Sequence, residues 1–380
     1  MPSAVAVSVD VSHERPDAEL DALAAAVESA ACVADDAGRP SLEAVGALRA
    51  SGLLAAAIPR AYGGLGLDAH ALNRLLERMA HIDASLAIIL FQHFAVASRI
   101  AQWGNTEQKT GMLPRLTTGE WLAASAWSET GAGADKRRLA TTARRAPTGG
   151  WIIDGAKTFV TGAGLADVYL VLGATSEAND TASTYGRAGQ SFFLVEAQGP
   201  GVLCDTKLDL VGMRGSATGF VSFVGCRAPD RALLGPLDEA TRVIASVREH
   251  GVTLGAVSVG IAQRAFDVTY NHAARRDLLA HQAVRHRLVD LRTQIEAARA
   301  LVACAGRCDS QEPGMTTLHS KLFASATSEL VVAECQRLLG SAGFVRDHLI
   351  NRLARDARAV GLMGPTNDLC RELVGAAWPN

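Results

Sequence analysis

What most limits the fold of this 380-residue chain is a double change in the spacing of its apolar residues. In the first third they recur every three or four positions, as Leu20, Leu23, Ala24 and Val27 do, which is the helical period. Pro40 and Ser41 read as a helix start, with Ser41 as N-cap ahead of Leu42, Val45 and Leu48. Tyr62 to Gly66 reads as a loop, and helical patterns resume over 69–99 and 105–116. Near Glu120 the period shortens. Strand-like runs at 121–127, 151–153, 158–160, 168–172, 191–195 and 220–224 alternate with turn signals, and Gly149-Gly150 and Asp154-Gly155 read as tight connections. Residues 174–190 read as a polar surface loop. From about Pro236 the helical period returns over 240–273, 280–306, 316–339 and 346–375, punctuated by Pro313-Gly314 and by Gly340 to Gly343. The spacing therefore predicts an α+β chain in three parts: a helical domain at 17–119, a β domain at 120–234 and a helical bundle at 235–380, behind a frayed N-terminus.

Charge and cysteine content narrow the function classes. A formal net charge of -2 offers no basic excess for nucleic acid. The N-terminus has no basic region before an apolar run, so it does not read as a secretory signal, and no apolar run reaches the ~18 residues of a membrane span. The 7 cysteines are odd in number and widely spaced, without a C-x-x-C. Cys304 and Cys308 lie a helical turn apart with no histidine at ligand spacing, so no metal site is expected. Free thiols in a reducing, cytoplasmic compartment are the expectation.

Five motifs carry chemistry or geometry. They are Ser125-Ala-Trp-Ser-Glu-Thr-Gly-Ala-Gly-Ala-Asp135, Asp154-Gly-Ala-Lys-Thr-Phe-Val-Thr161 with Ala166-Asp167, Gly212-Met-Arg-Gly-Ser216, Gly260-Ile-Ala-Gln263, and Arg355-Asp-Ala-Arg358. Each alone is a common turn or helix fragment. In this order, over roughly 40–376, they resemble the acyl-CoA dehydrogenase family. The resemblance implies an N-terminal helical domain, a middle β-barrel or sandwich domain and a C-terminal four-helix bundle around FAD and an acyl thioester. It implies either acyl-CoA or an acyl-carrier protein as thioester, and a homo-oligomer, dimer or tetramer. Electrons would pass to a separate acceptor, an electron-transfer flavoprotein or oxygen. By the same resemblance Trp127 and Ser128 face one side of the flavin ring, and Phe159 and Thr161 the other. A flat, mostly apolar ring with a polar edge needs such a wall and such donors. Both aromatics could equally be core residues of the β domain; their pairing with two hydroxyls favours the flavin. Arg276 matches an arginine that reaches a neighbouring subunit's FAD pyrophosphate, and Gln282 a glutamine near the adenosine.

The departures from the family bear on catalysis. Family enzymes remove the α-proton of the thioester with a glutamate while the β-hydride leaves to the flavin, and without a base that proton stays. Counting from Arg355, Gly364 occupies the glutamate slot, while Thr366 is kept. Some branches carry the base on an earlier helix. Counting back from Gly260 places His250 there, with Glu249 beside it, about 100° round the helix. Histidine has a suitable intrinsic pKa; packing or solvated surface roles are open to both residues. Arg337 and Ser341 stand where the family has glutamine and glycine against adenosine, the 276–282 connection is short, and Ala134 replaces a serine. Three readings follow: an FAD-dependent α,β-dehydrogenase with His250 or Glu249 as base, a base-lacking subunit of a hetero-oligomer with a homologous chain, and a flavin oxidase or monooxygenase of a biosynthetic pathway.

Overall fold

The computed structural model describes residues 14–132, 138–177, 185–206 and 208–378. Ala134 and the middle of the 174–190 segment lie outside the described residues.

Local capping sets the N-terminal helices α1 (Glu14–Ala37), α2 (Leu42–Ala50), α3 (Ala69–Ile82), α4 (Ala84–Trp103) and α5 (Thr106–Thr117). Ser41 accepts from the Ala44 N–H as expected, and Asn105 and Gln108 form a reciprocal capping box at α5. The apolar run at 69–99 is not one helix. Asp83 closes α3 and caps α4 by accepting from the Ser85 and Leu86 N–H groups, so the chain turns there without losing apolar residues. Helix α4 is long and apolar enough to cross a membrane by length and composition alone, but Gln92, His93 and Arg99 interrupt its apolar run and 78% of its most apolar window is buried inside the protein.

The middle strands are β1 (Ala123–Ala126), β2 (Thr142–Arg145), β3 (Trp151–Val160), β4 (Val168–Ala174), β5 (Gln190–Glu196), β6 (Val202–Asp205), β7 (Gly219–Ala228) and β8 (Leu233–Leu234). They form one sheet in the order β6-β7-β3-β2-β4-β5-β8, with β1 parallel to β4. The runs expected at 151–153 and 158–160 are one strand. Asp154-Gly155 is an irregularity inside it rather than a connection, because Gly155 (φ +146°) faces Thr141 with no room for a side chain. Gly149 and Gly150, both at positive φ, do turn β2 into β3.

The C-terminal helices are α6 (Ala240–Glu249), α7 (Gly255–Arg275), α8 (Gln282–Arg307), α9 (Pro313–Leu339), α10 (Leu349–Leu362) and α11 (Asn367–Gly375). Helices α7 to α10 pack into a bundle, and α3 lies across α7 and α8. The runs at 240–273 and 346–375 each break once, at 250–254 and 363–366. One apolar core joins α1–α4 to the bundle; a second lies between the sheet, α4, α5, α6 and α11; a third lies within the sheet.

Two of the five motifs meet at the junction of sheet and bundle. The Asp356 carboxylate accepts from the Met213 N–H at 2.6 Å, and Arg355 donates to Val211 O and pairs with Asp35. A side chain at Gly212 would lie 2.4 Å from Arg355 O, so only glycine permits the approach. Burial pushes Asp356 up to about 7 against the Met213 hydrogen bond.

Candidate functional site

The wall proposed for the flavin is built by an ion pair. Glu129, two residues beyond Trp127, meets Lys157 of β3 at 2.7 Å, with both side chains buried. The carboxylate also accepts from the Ala140 and Thr141 N–H groups, at 2.6 and 3.1 Å. Burial opposes the charge on Glu129, but Lys157 and these bonds overcome it and hold the carboxyl below its usual range. Burial likewise lowers Lys157 to about 8, against the pull of Glu129. Lys157 also reaches Trp127 O at 3.4 Å, and the Thr158 N–H donates to Ser128 O at 2.8 Å. Residues 127–129 are thereby fixed along β3. The sequence showed both charges inside motifs, but their partnership was not anticipated.

Two aromatic side chains follow from this arrangement. Trp127 packs on Phe192 with ring centroids 4.9 Å apart, and its buried indole N–H has no partner among the described residues. Phe159 sits at φ +51°, in the irregular part of β3, and the residue is 62% exposed. A non-glycine residue in that conformation stores strain, and here the strain presents an aromatic outward. Thr161 follows, with its hydroxyl 3.2 Å from that of Thr218, which lies 2.7 Å from Ser216 Oγ.

The two base candidates differ in surroundings. Glu249 ends α6 and is exposed. His250 is the C-cap of α6, and burial, reinforced by Arg99, pushes its pKa down to about 4, so the imidazole is neutral at pH 7. Arg99, near the C-terminal end of apolar α4, is 2% exposed. Among the described residues its one hydrogen bond runs to Ser246 Oγ at 3.5 Å, and its Nε has no partner.

The segment between α10 and α11 is held by a residue the sequence reading overlooked. Lys321 of α9 donates to Pro365 O and Asn367 Oδ1, both at 2.8 Å, and to Gly361 O and Met363 O at 3.3 and 3.4 Å. Burial lowers it to about 8. Its signal was a lysine on a helix whose neighbouring positions, Ser320 and Ser325, are buried. Gly364 lies in this clamped segment, exposed, and a Cβ there would meet nothing within 4 Å. Thr366 spends its hydroxyl capping α11, accepting from the Leu369 N–H at 3.2 Å.

Arg276, Gln282 and Arg337 are exposed at the ends of α7, α8 and α9. Gln282 contacts His286, and Arg337 pairs with Glu334. Among the described residues no hydrogen bond or ion pair ties them to Trp127, Phe159 or Thr161. The partners of Gln282 and Arg337 lie instead within the helical part of the chain.

Comparison with known proteins agrees along the chain. Models of the acyl-CoA dehydrogenase N-terminal, middle and C-terminal domains match residues 18–120, 124–226 and 242–378. An acyl-CoA dehydrogenase of Bacillus subtilis (strain 168) is 30% identical over 332 residues, 85% of this chain and 86% of that protein. The L-prolyl-[peptidyl-carrier protein] dehydrogenase of Pseudomonas fluorescens is 30% identical over 340 residues, covering 85% and 87%. The butyryl-CoA dehydrogenase structure from Megasphaera elsdenii superposes with a TM-score of 0.90 at 26% identity over 99% of both chains.

Proposed function

The chain belongs to the acyl-CoA dehydrogenase family, and from that premise we propose that it is an FAD-dependent α,β-dehydrogenase of an acyl thioester with His250 as its α-proton base. The observation that carries this is the wall of Trp127, Ser128, Phe159 and Thr161. A partnerless buried indole N–H, an exposed aromatic held at strained φ and an adjacent hydroxyl are what a flat ring with a polar edge completes. These residues fit the isoalloxazine of FAD, which when bound supplies a two-electron acceptor. Their part is to seat the ring and exclude water from one face. Lys157 and Glu129 keep them in place.

His250 is favoured over Glu249 because it is half-buried where Glu249 is exposed, and because it is unprotonated at pH 7. Its low proton affinity makes it a weak base, so proton abstraction is the step in which this site is least matched to its task. The thioester arrives on CoA or on a carrier protein, the latter being what the name of the Pseudomonas relative specifies for that protein. The acceptor of the electrons is an electron-transfer flavoprotein or oxygen. The exposure of Arg276, Gln282 and Arg337 at helix ends supports an oligomer in which they serve a second subunit's cofactor. Seven unpaired cysteines support a cytoplasmic setting.

One observation favours a second reading. Gly364 is exposed beside open space, with no carboxylate in the slot, as in a base-lacking subunit that completes a heteromer. The deciding experiment uses the chain purified alone. Stoichiometric bound FAD that bleaches anaerobically with acyl thioester, and no longer does so in His250→Ala, supports the dehydrogenase. Bleaching that survives His250→Ala removes His250 as base. A chain that takes up flavin only with a homologous partner is the supporting subunit.

A further inference from the structure

Helix α4 is the most apolar helix of the protein, yet it buries a guanidinium with no counter-charge. Among the described residues no carboxylate pairs with Arg99. Its pKa is lowered to about 10 by burial, and no acidic neighbour opposes that shift. Its one acceptor, Ser246 Oγ, is shared. That oxygen also receives the Trp103 indole N–H at 2.9 Å and donates its own proton to Val243 O at 2.8 Å. A neutral hydroxyl at 3.5 Å compensates little of the desolvation of a cation, and a methionine or leucine would pack at this place without that cost. The remaining neighbour in electrostatic reach is His250, neutral and itself disfavoured as a cation by Arg99. One small region between α4 and α6 therefore holds an unpaired buried cation, an orphaned N–H and the candidate base.

We propose that Arg99, with Ser246, binds an anionic group carried on the acyl portion of the thioester, so that the preferred substrates are monothioesters of dicarboxylic acids. The inference rests on the dehydrogenase reading and deepens it by naming the substrate class. A carboxylate accepts two parallel N–H bonds from a guanidinium, and Arg99 has its Nε and most of its fork uncommitted. The same cation repels an ammonium, so aminoacyl thioesters are selected against at this site. The pairing also answers the weakness of the base. Moving the α-proton to His250 creates an imidazolium beside Arg99; a carboxylate on Arg99 cancels that repulsion and raises the proton affinity of the imidazole when the correct substrate is bound. The substrate's distal charge thus both anchors the acyl group and activates the base.

The test is calorimetric titration of the FAD-loaded protein with succinyl-CoA and glutaryl-CoA, against butyryl-CoA and hexanoyl-CoA. The wild type is expected to bind the dicarboxylic thioesters at least about tenfold more tightly, and Arg99→Gln to lose that preference while still binding butyryl-CoA. Equal or tighter binding of the uncharged thioesters by the wild type overturns the proposal, as does a preference that survives Arg99→Gln. Phosphate or chloride that raises the melting temperature through Arg99, without any dicarboxylic preference, assigns the cation to a small inorganic anion and also overturns it. If none of the thioesters binds, the dehydrogenase reading fails and this inference with it; tight butyryl-CoA binding with no dicarboxylic preference sinks this inference alone. Should Arg99→Gln fail to fold, the wild-type comparison between glutaryl-CoA and hexanoyl-CoA decides by itself.

Discussion

Lys157 and Glu129 show how residue-scale electrostatics position a site they do not enter. Each is buried, and each has the other as its counter-charge, so removing one strands the other. Lys157→Met is expected to cost about 3–5 kcal/mol in urea unfolding, and to release flavin at a lower denaturant concentration than global unfolding. Unchanged flavin retention would show that the pair is structural only. Two histidines set a pH dependence. His93 donates from Nε2 to Leu54 O at 3.2 Å and accepts the Ala123 N–H at Nδ1, which requires the neutral ring. Burial lowers both His93 and His250 to about 4. With folded pKa values below the unfolded ones, their contribution to stability is complete above about pH 6.5 and is lost as pH falls towards 4. Asp356, raised to about 7, works in the opposite direction over the same window, so the readout is a difference. The melting-temperature advantage of the wild type over His93→Gln is expected to shrink as pH falls from about 6.5 towards 4, and an advantage that does not change with pH would contradict the buried neutral state of His93. None of this was legible in the sequence, because a histidine within an apolar helix looks the same whether its two nitrogens are satisfied or not.

At the scale of elements, the sequence displayed periods but hid their interruptions. Val252 and Leu254 keep the apolar spacing going across the gap between α6 and α7, where the chain is held by Asn73 instead, donating to Gly251 O at 2.9 Å and accepting from the Thr253 N–H at 3.0 Å. Asp83 was readable as a cap only once α3 and α4 were known to turn there. The placement of His250 at this break, rather than on a continuous helix, is why counting along the motif could not say which of Glu249 and His250 points inward. The break between α10 and α11 carries its own prediction. Gly364 is open on its Cβ side and not at positive φ, so Gly364→Ala is expected to change stability by less than about 0.5 kcal/mol. Gly212→Ala, with its Cβ forced to 2.4 Å from Arg355 O, is expected to destabilise by ~2 kcal/mol or more and to weaken the junction between sheet and bundle. Chemical denaturation of the two variants side by side checks both. Equal losses would mean that the clamp by Lys321 tolerates less at 364 than the open space suggests.

At the scale of the whole molecule the wall lies in the sheet, while Arg276, Gln282 and Arg337 stand exposed at helix ends of the bundle. The bundle also exposes large apolar side chains: Val289 on α8, Phe323 and Leu330 on α9, Leu362 at the end of α10, and Phe344, 93% exposed, in the turn before α10. On the proposed reading, exposed residues matched to a neighbouring subunit's cofactor and apolar residues without a local core are answered by the same arrangement, a second copy docked through the bundle. The 39.8-kDa chain is then expected to run as a multiple of that mass, and Phe344→Asp combined with Leu330→Asp to shift it towards the monomer. The informative measurement is made on both samples at once, mass in solution and flavin per chain. If the cross-subunit residues complete the site, dissociation and flavin loss coincide. If the monomer keeps its full flavin complement, the wall of Trp127, Ser128, Phe159 and Thr161 suffices, and the exposed arginines have another use.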